Sequence, residues 1–124
     1  MIEPMRLRIA RHTNRLEDVV AFYRDRVGFP EIGRFENHDG YDGVFLEIPG
    51  TNTHFELTTG GDHPPPDPHP ESLIVLFLES RAAIDEIAGQ INQPPVVPAN
   101  PYWRANAQAY ADPDGFQLLL VLSV

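Results

Sequence analysis

Cysteine is absent from this 124-residue chain. Without a thiol there is no disulfide framework, no thiolate nucleophile and no cysteine-based zinc site, and a reducing cytoplasmic setting is the expectation that fits. Long apolar runs are missing too. Nowhere does the chain offer the roughly 18 consecutive apolar residues of a membrane span. Its first ten residues carry arginines inside their apolar stretch, so no secretory leader is expected there. Positive charge is scarce: nine basic residues stand against 18 acidic ones, a net charge of −9. Phosphate binding needs a basic surface, so DNA and RNA fall away as partners. The surplus of negative charge is read as an aid to solubility.

What is present suits a small globular protein. A 42% hydrophobic share is too high for a disordered chain, and the length suits one domain or two half-domains around a common core. Proline is plentiful in one place: Gly60–Pro70 reads G-G-D-H-P-P-P-D-P-H-P. Proline lacks an amide donor and forces its predecessor into extended backbone, so this stretch is expected as an exposed connector. The expected organisation is one module over residues 5–59, a connector over 60–71 and a second module over 72–123.

The two halves follow the same order. Met5–Arg11 alternates Leu7 and Ile9 with Arg6, Arg8 and Ala10, the period of a strand. Asn14 is expected as a helix N-cap with Glu17 completing a capping box. Leu16, Val19, Val20, Tyr23 and Val27 then recur on one helical face, and Gly28 is the expected left-handed terminator. Strands are predicted at 31–36, 44–48 and 53–58, with turns at H-D-G-Y-D-G (His38–Gly43) and P-G-T-N (Pro49–Asn52). In the second half, a strand at 72–78 leads to a helix capped by Ser80 with Ile84, Ile87, Ala88 and Ile91 on one face. A Pro-rich passage follows, then strands at 106–111 and 116–122 joined by D-P-D-G (Asp112–Gly115). Sliding the halves together places P-G-T-N on D-P-D-G and residues 53–57 on 116–120. The repeat is one of pattern.

Two stretches, T-N-R-L-E-D-V-V-A-F-Y-R-D-R-V-G-F (Thr13–Phe29) and Y-A-D-P-D-G-F-Q-L (Tyr110–Leu118), stand at the separation such a repeat requires. Together they resemble the first helix and last hairpin of the vicinal-oxygen-chelate (glyoxalase/bleomycin-resistance/dioxygenase) superfamily. H-D-G-Y-D-G and N-P-Y-W (Asn100–Trp103) are similar to uncharacterised bacterial members. The resemblance covers about Arg6 to Val121 and implies an α+β fold: two βαβββ modules forming a curled mixed-sheet half-barrel around a small-molecule cavity. Homodimerisation is implied by the same resemblance.

Members of that superfamily usually hold a divalent cation with four side chains, one from the first and one from the last strand of each module. The resemblance places those positions on Arg8, Glu56, Ser72 or Ile74, and Leu119. A guanidinium has no lone pair to offer, and aliphatic carbon has none either, so Glu56 alone could ligate. No metal and no cofactor are therefore expected, and metal-dependent lyase, dioxygenase and transferase chemistry becomes a poor reading. Arg8 and Glu56 should share the inward face. Two readings stand at equal weight: an ion pair whose spare donors bind an anionic or carbonyl-bearing ligand, and an ion pair that merely closes the cavity.

His54 has the parity of Glu56, and His12 that of Arg8. The trio His12, His54 and Glu56 is a conceivable displaced zinc site, though a solvent-facing His12 and a cross-strand hydrogen-bonded His54 are the more ordinary assignments. His38, with Asp39 and Asp42, could act as acid or base, but a turn explains the same residues better. His63 and His69 are expected to be exposed in the connector. Tyr102 and Trp103, beside Pro101, are expected as a cavity wall or lid, with a core edge or dimer interface as the competing assignment. The leading functional expectation is a metal-independent small-molecule binder, its ligand small, flat and anionic or carbonyl-bearing, held by Arg8, Glu56, Tyr102 and Trp103. The alternative is a lyase- or isomerase-type enzyme with Glu56, His54 or His38 as base and Arg8 stabilising negative charge. A scaffold with a closed cavity is the third.

Overall fold

The computed structural model describes residues 2–123. The chain divides into two compact units, Met1–Pro66 and Asp67–Val124, with the break inside the proline-rich connector.

The first unit begins with strand β1 (Leu7–His12) and continues into helix α1 (Leu16–Val20), which widens into a π-helical segment, Ala21–Val27. Strands β2 (Glu31–His38), β3 (Tyr41–Ile48) and β4 (Thr53–Gly60) follow. They form one open sheet in the order β1-β4-β3-β2, with β1 parallel to β4 and the other pairs antiparallel. The periodic face read from the sequence is the one that packs: Val19, Val20 and Tyr23 are fully buried, as are Leu46 and Leu57 of the sheet, with Phe55 almost so. The Tyr23 and Phe55 rings meet edge to face at 5.0 Å, the arrangement their quadrupoles favour. Because α1 lies over β4, Leu7 and Ile9 of the edge strand, though on the same sheet face as Thr53 and Phe55, stay about half exposed.

The start of α1 differs from expectation. Asn14 does not cap it. The hydroxyl of the fully buried Thr13 accepts from the Arg15 amide at 3.0 Å, and the helix begins after Arg15 without a side-chain cap. Glu17 closes no capping box; it pairs with Arg34 at 3.3 Å. A buried hydroxyl had to find a donor, which outweighed the cap preference of the exposed Asn14. Gly28 ends the segment at φ +101°, its amide returning to the Tyr23 carbonyl as a π-helical turn requires.

The strands run longer than predicted, because the turn in H-D-G-Y-D-G shrinks to Asp39–Gly40. Both have positive φ, 53° and 86°, which suits a tight hairpin, and the Asp42 carboxylate accepts from the Asn37 amide at 2.8 Å.

The second unit carries β5 (Leu73–Leu78), α2 (Arg81–Ile91), α3 (Pro101–Asn106), β6 (Ala107–Ala111) and β7 (Gln117–Leu122). Its sheet has the order β5-β7-β6, β5 parallel and β6 antiparallel to β7. Ser80 caps α2 as expected, accepting from the Ala83 amide at 3.1 Å, and Ile84 and Ile91 are buried. In D-P-D-G the Asp112 carboxylate is buried and accepts from the amides of Asp114 and Phe116 at 2.8 and 3.1 Å. A fourth strand is missing among the described residues. The Pro-rich passage contributes one isolated bridge, Val96 to Ala109. Pro94, Pro95 and Pro98 cannot donate to a ladder, so pairing stops there.

Candidate functional site

Alternation along strands and the register between them assemble one polar face on the first unit. β1 and β4 pair Arg8 with His54 and Ala10 with Glu56, while β3 sets Phe45 opposite Glu56 and Glu47 opposite His54. Paired residues point the same way, so Arg8, His54, Glu56, Phe45 and Glu47 share the face away from buried Phe55 and Leu57. The Arg8 guanidinium lies over the Phe45 ring with its carbon 4.4 Å from the centroid. One nitrogen donates to Glu56 Oε1 at 3.4 Å, and another faces His54 Nδ1 at 3.5 Å.

The structure thus brings Arg8, Glu56 and His54 together. It differs in burial: the Arg8 side chain keeps 44% of its surface exposed, against 19% for Glu56. A single long contact at that exposure is a weak ion pair. The Phe45 ring beneath the guanidinium adds a cation–π contact to that weak pair. The place of Phe45 beneath Arg8 depends on cross-strand register.

These residues do not fit a divalent cation. Arg8 supplies only donors. In the second unit Leu119 is fully buried and packs with Ala109 and Val121. Ser72 precedes β5, and Ile74 pairs with Leu118, so neither shares the face of Leu119. By the register that matches Arg8 to His54, the corresponding position in β5 is Leu73, paired with Gln117 and packed on the Leu119 cluster. That position is aliphatic as well. Among the described residues no three His, Asp or Glu side chains are grouped to hold a metal. The zinc trio fails for the same reason: His12 pairs with Thr58 and not with the His54–Glu56 end of β4.

His12 has another neighbour. Its ring meets that of His63 edge to face at 5.2 Å, and its Nε2 is buried without a hydrogen-bond partner. His63 in turn faces the Tyr41 hydroxyl at 3.1 Å, so this connector residue, expected to be merely exposed, rests on the sheet. His69 stays in a local turn, accepting from the Glu71 amide. His38 stands at the β2–β3 tip, its side chain 81% exposed and 3.9 Å from Asp39. Nothing there encloses a substrate or excludes water, and the turn reading accounts for it.

The aromatic pair takes a form that sequence did not anticipate. Asn100–Asn106 is not a loop: the Asn100 carboxamide caps α3 by accepting from the Tyr102 amide at 2.9 Å, with Pro101 in the first turn. The two rings then part company. Trp103 packs onto the Ala109–Leu119–Val121 cluster, as part of the core. Tyr102 remains 61% exposed and borders a cavity of about 440 Å3 within the second unit, together with Phe77, Arg81 and Asn106. Arg81 escaped notice in the sequence, where it reads only as the first residue of a capped helix.

Comparison with known proteins accords with this architecture. Residues 7–58 match the YycE-like N-terminal domain and residues 71–122 the YycE-like C-terminal domain. The chain is 33% identical over 121 residues to the uncharacterised protein YycE of Bacillus subtilis, covering 94% of this chain and 87% of that one. The crystal structure of YycE from that organism superposes with a TM-score of 0.88 at 32% identity, covering 96% and 90% of the two chains. At fold level only, the chain is similar to TnmS3, an antibiotic-binding protein of Streptomyces (18% identity, TM-score 0.71, 100% and 99% covered). It is likewise similar to the fosfomycin resistance protein FosX of Listeria monocytogenes (15% identity, TM-score 0.69, 100% and 95% covered), whose E126Q mutant was crystallised with Mn(II). With both halves matched and YycE superposing over nearly its full length, the chain belongs to the YycE-like family and has the glyoxalase/bleomycin-resistance fold.

Proposed function

We propose that this protein binds a small, flat ligand without a metal, anchoring the ligand's carboxylate or carbonyl group on Arg8. The observation that carries this reading is the guanidinium placed over Phe45, 4.4 Å from the ring centroid, while only one long contact, 3.4 Å, ties it to Glu56. A guanidinium has five N–H donors in a rigid fork, so a ligand oxygen finds donors already oriented, and little ordering cost remains. The Phe45 and Phe35 rings, 5.7 Å apart on the same face, offer a surface for a planar body. That TnmS3 of like fold is described as antibiotic binding supports a binding role for such an architecture.

Arg8→Met tests the proposal, because methionine keeps an apolar stem over Phe45 and removes every donor. After a thermal-shift screen of aromatic acids, lactones and glycopeptides, calorimetry on each hit should show about a tenfold or greater loss of affinity in the variant, the scale of a charged hydrogen bond. Unchanged affinity removes Arg8 as the anchor. Elemental analysis of purified protein should find no stoichiometric Mn, Ni or Zn; one tightly held ion per chain would overturn the metal-independent reading. A homodimer and a cytoplasmic setting belong to the same proposal, the former checked by light scattering.

One observation favours a second reading. Glu56 is mostly buried and adjoins the Arg8 guanidinium, the juxtaposition that proton abstraction beside a carbonyl requires. If a hit is turned over, Glu56→Gln should abolish turnover and leave binding largely intact. Turnover that survives this change removes Glu56 as the base, and absence of turnover leaves the binder.

A further inference from the structure

Every basic residue in this chain is an arginine. Most are engaged: Arg8 by Glu56 and Phe45, Arg24 and Arg34 by Glu31, and Arg104 by the carbonyls of Pro98 and Ala99. Arg81 is different. Among the described residues it has no hydrogen-bond or ion-pair partner, although Glu79 lies two residues before it and Asp85 one turn beyond. Its side chain lines the cavity of about 440 Å3 and also a contiguous one of about 240 Å3, which share Ala105, Asn106 and Leu122 as walls.

The cavity lies where the parallel strands β5 and β7 end, between the first turn of α2 and the side of α3. Ligand crevices in parallel sheets commonly occupy this place, because the chain leaves the strand ends in diverging directions. The walls have two characters. Phe77 and Tyr102 are large aromatic side chains left 62% and 61% exposed, joined by Val121 and the partly exposed Leu122. Against them stand one guanidinium, one carboxamide and Ser123, and among the described residues no carboxylate lines the space. A lone guanidinium suits a single negative charge delivered as a planar fork, and the rings suit a flat apolar body. A phosphate dianion would want a second cation, which the walls do not provide. The volume lies within the range for small-molecule sites.

We propose that this cavity is a second binding site, for a small aromatic or similarly flat monocarboxylate, with Arg81 taking the carboxylate and Phe77 and Tyr102 flanking the ring. The site lies wholly within the second unit and does not depend on Arg8.

Titration of the full chain with benzoate, followed residue by residue by NMR, tests it. Benzoate should produce saturable shifts at the amides of Phe77, Arg81 and Tyr102, and the uncharged benzamide should bind there at least about tenfold more weakly. Arg81→Met should weaken benzoate by a similar factor. Arg81→Lys, which keeps the charge but loses the fork, should fall between it and the native chain. Arg6→Met removes the same charge from a residue that also lacks a partner among the described residues, and should leave these shifts in place. No saturable shift at those three amides overturns the proposal, as does equal binding of benzamide or undiminished binding by Arg81→Met. Shifts confined to the neighbourhood of Arg8 would speak for the first site and against this one.

Discussion

Glu31 stands between two guanidiniums, accepting from Arg34 at 2.8 and 2.9 Å and from Arg24 at 2.8 Å. Those bonds, Arg34's first and then Arg24's, hold its carboxyl down from the ordinary 4.5 to about 2. The folded chain therefore keeps Glu31 charged where an unfolded chain would protonate it. The resulting stabilisation is present in full above the ordinary value and is lost as pH falls from about 4.5 towards about 2. At neutral pH, Glu31→Gln should cost about 1 kcal/mol, the scale of a partly exposed network. Urea unfolding across pH should show the gap from the native chain closing below pH 3; a gap that stays constant with pH would rule out this linkage. The residue scale is also where the sequence was least informative. Arg8 and Glu56 were legible through the family resemblance, whereas the Phe45 ring beneath Arg8 and the place of Arg81, without a partner among the described residues, were not, since both depend on residues distant along the chain.

At the scale of elements, the β2–β3 ladder depends on one glycine. A Cβ at Gly43 would lie 2.3 Å from the Phe35 ring, so that ring occupies the space a side chain would take. Gly43→Ala should push Phe35 off Phe45 and destabilise the fold by about 1–3 kcal/mol, the usual cost of overpacking; an unchanged urea midpoint would contradict this. In α3 the Asn100 carboxamide holds the first turn, and Asn100→Ala should cost about 1 kcal/mol. The same variant should loosen Tyr102 at the cavity, visible as altered amide shifts there. Elements with local signals were read correctly: the apolar face of α1, the Ser80 cap, the Gly28 terminator and the D-P-D-G turn. Local rules misled where tertiary context overrode them. Thr13, once buried, displaced Asn14 as the group that organises the helix start. The residues of N-P-Y-W-R form a helix because Asn100 and Pro101 suit its first two positions, a signal that was present and read as a loop.

For the whole molecule, the charge of −9 sets how it meets other macromolecules. At low ionic strength the chain should pass through heparin unretained and bind an anion exchanger; retention on heparin would reveal a basic patch. No helix among the described residues is long and apolar enough to cross a membrane. The family and the α+β architecture were legible because two diagnostic stretches and a repeated strand–helix–strand order survive in the sequence itself. Local spacing by itself determined the strands, the first two helices and their apolar faces, while the expected mismatch at the metal positions came from the family resemblance, since a guanidinium and a leucine cannot ligate wherever they stand. Only the tertiary structure decided that Arg8 lies on Phe45, that Leu73 rather than Ser72 or Ile74 shares the face of Leu119, and that Arg81 opens on a cavity. Each of these rests on strand register or on packing between distant segments, and those are settled by the buried area of the whole unit rather than by any stretch of chain alone.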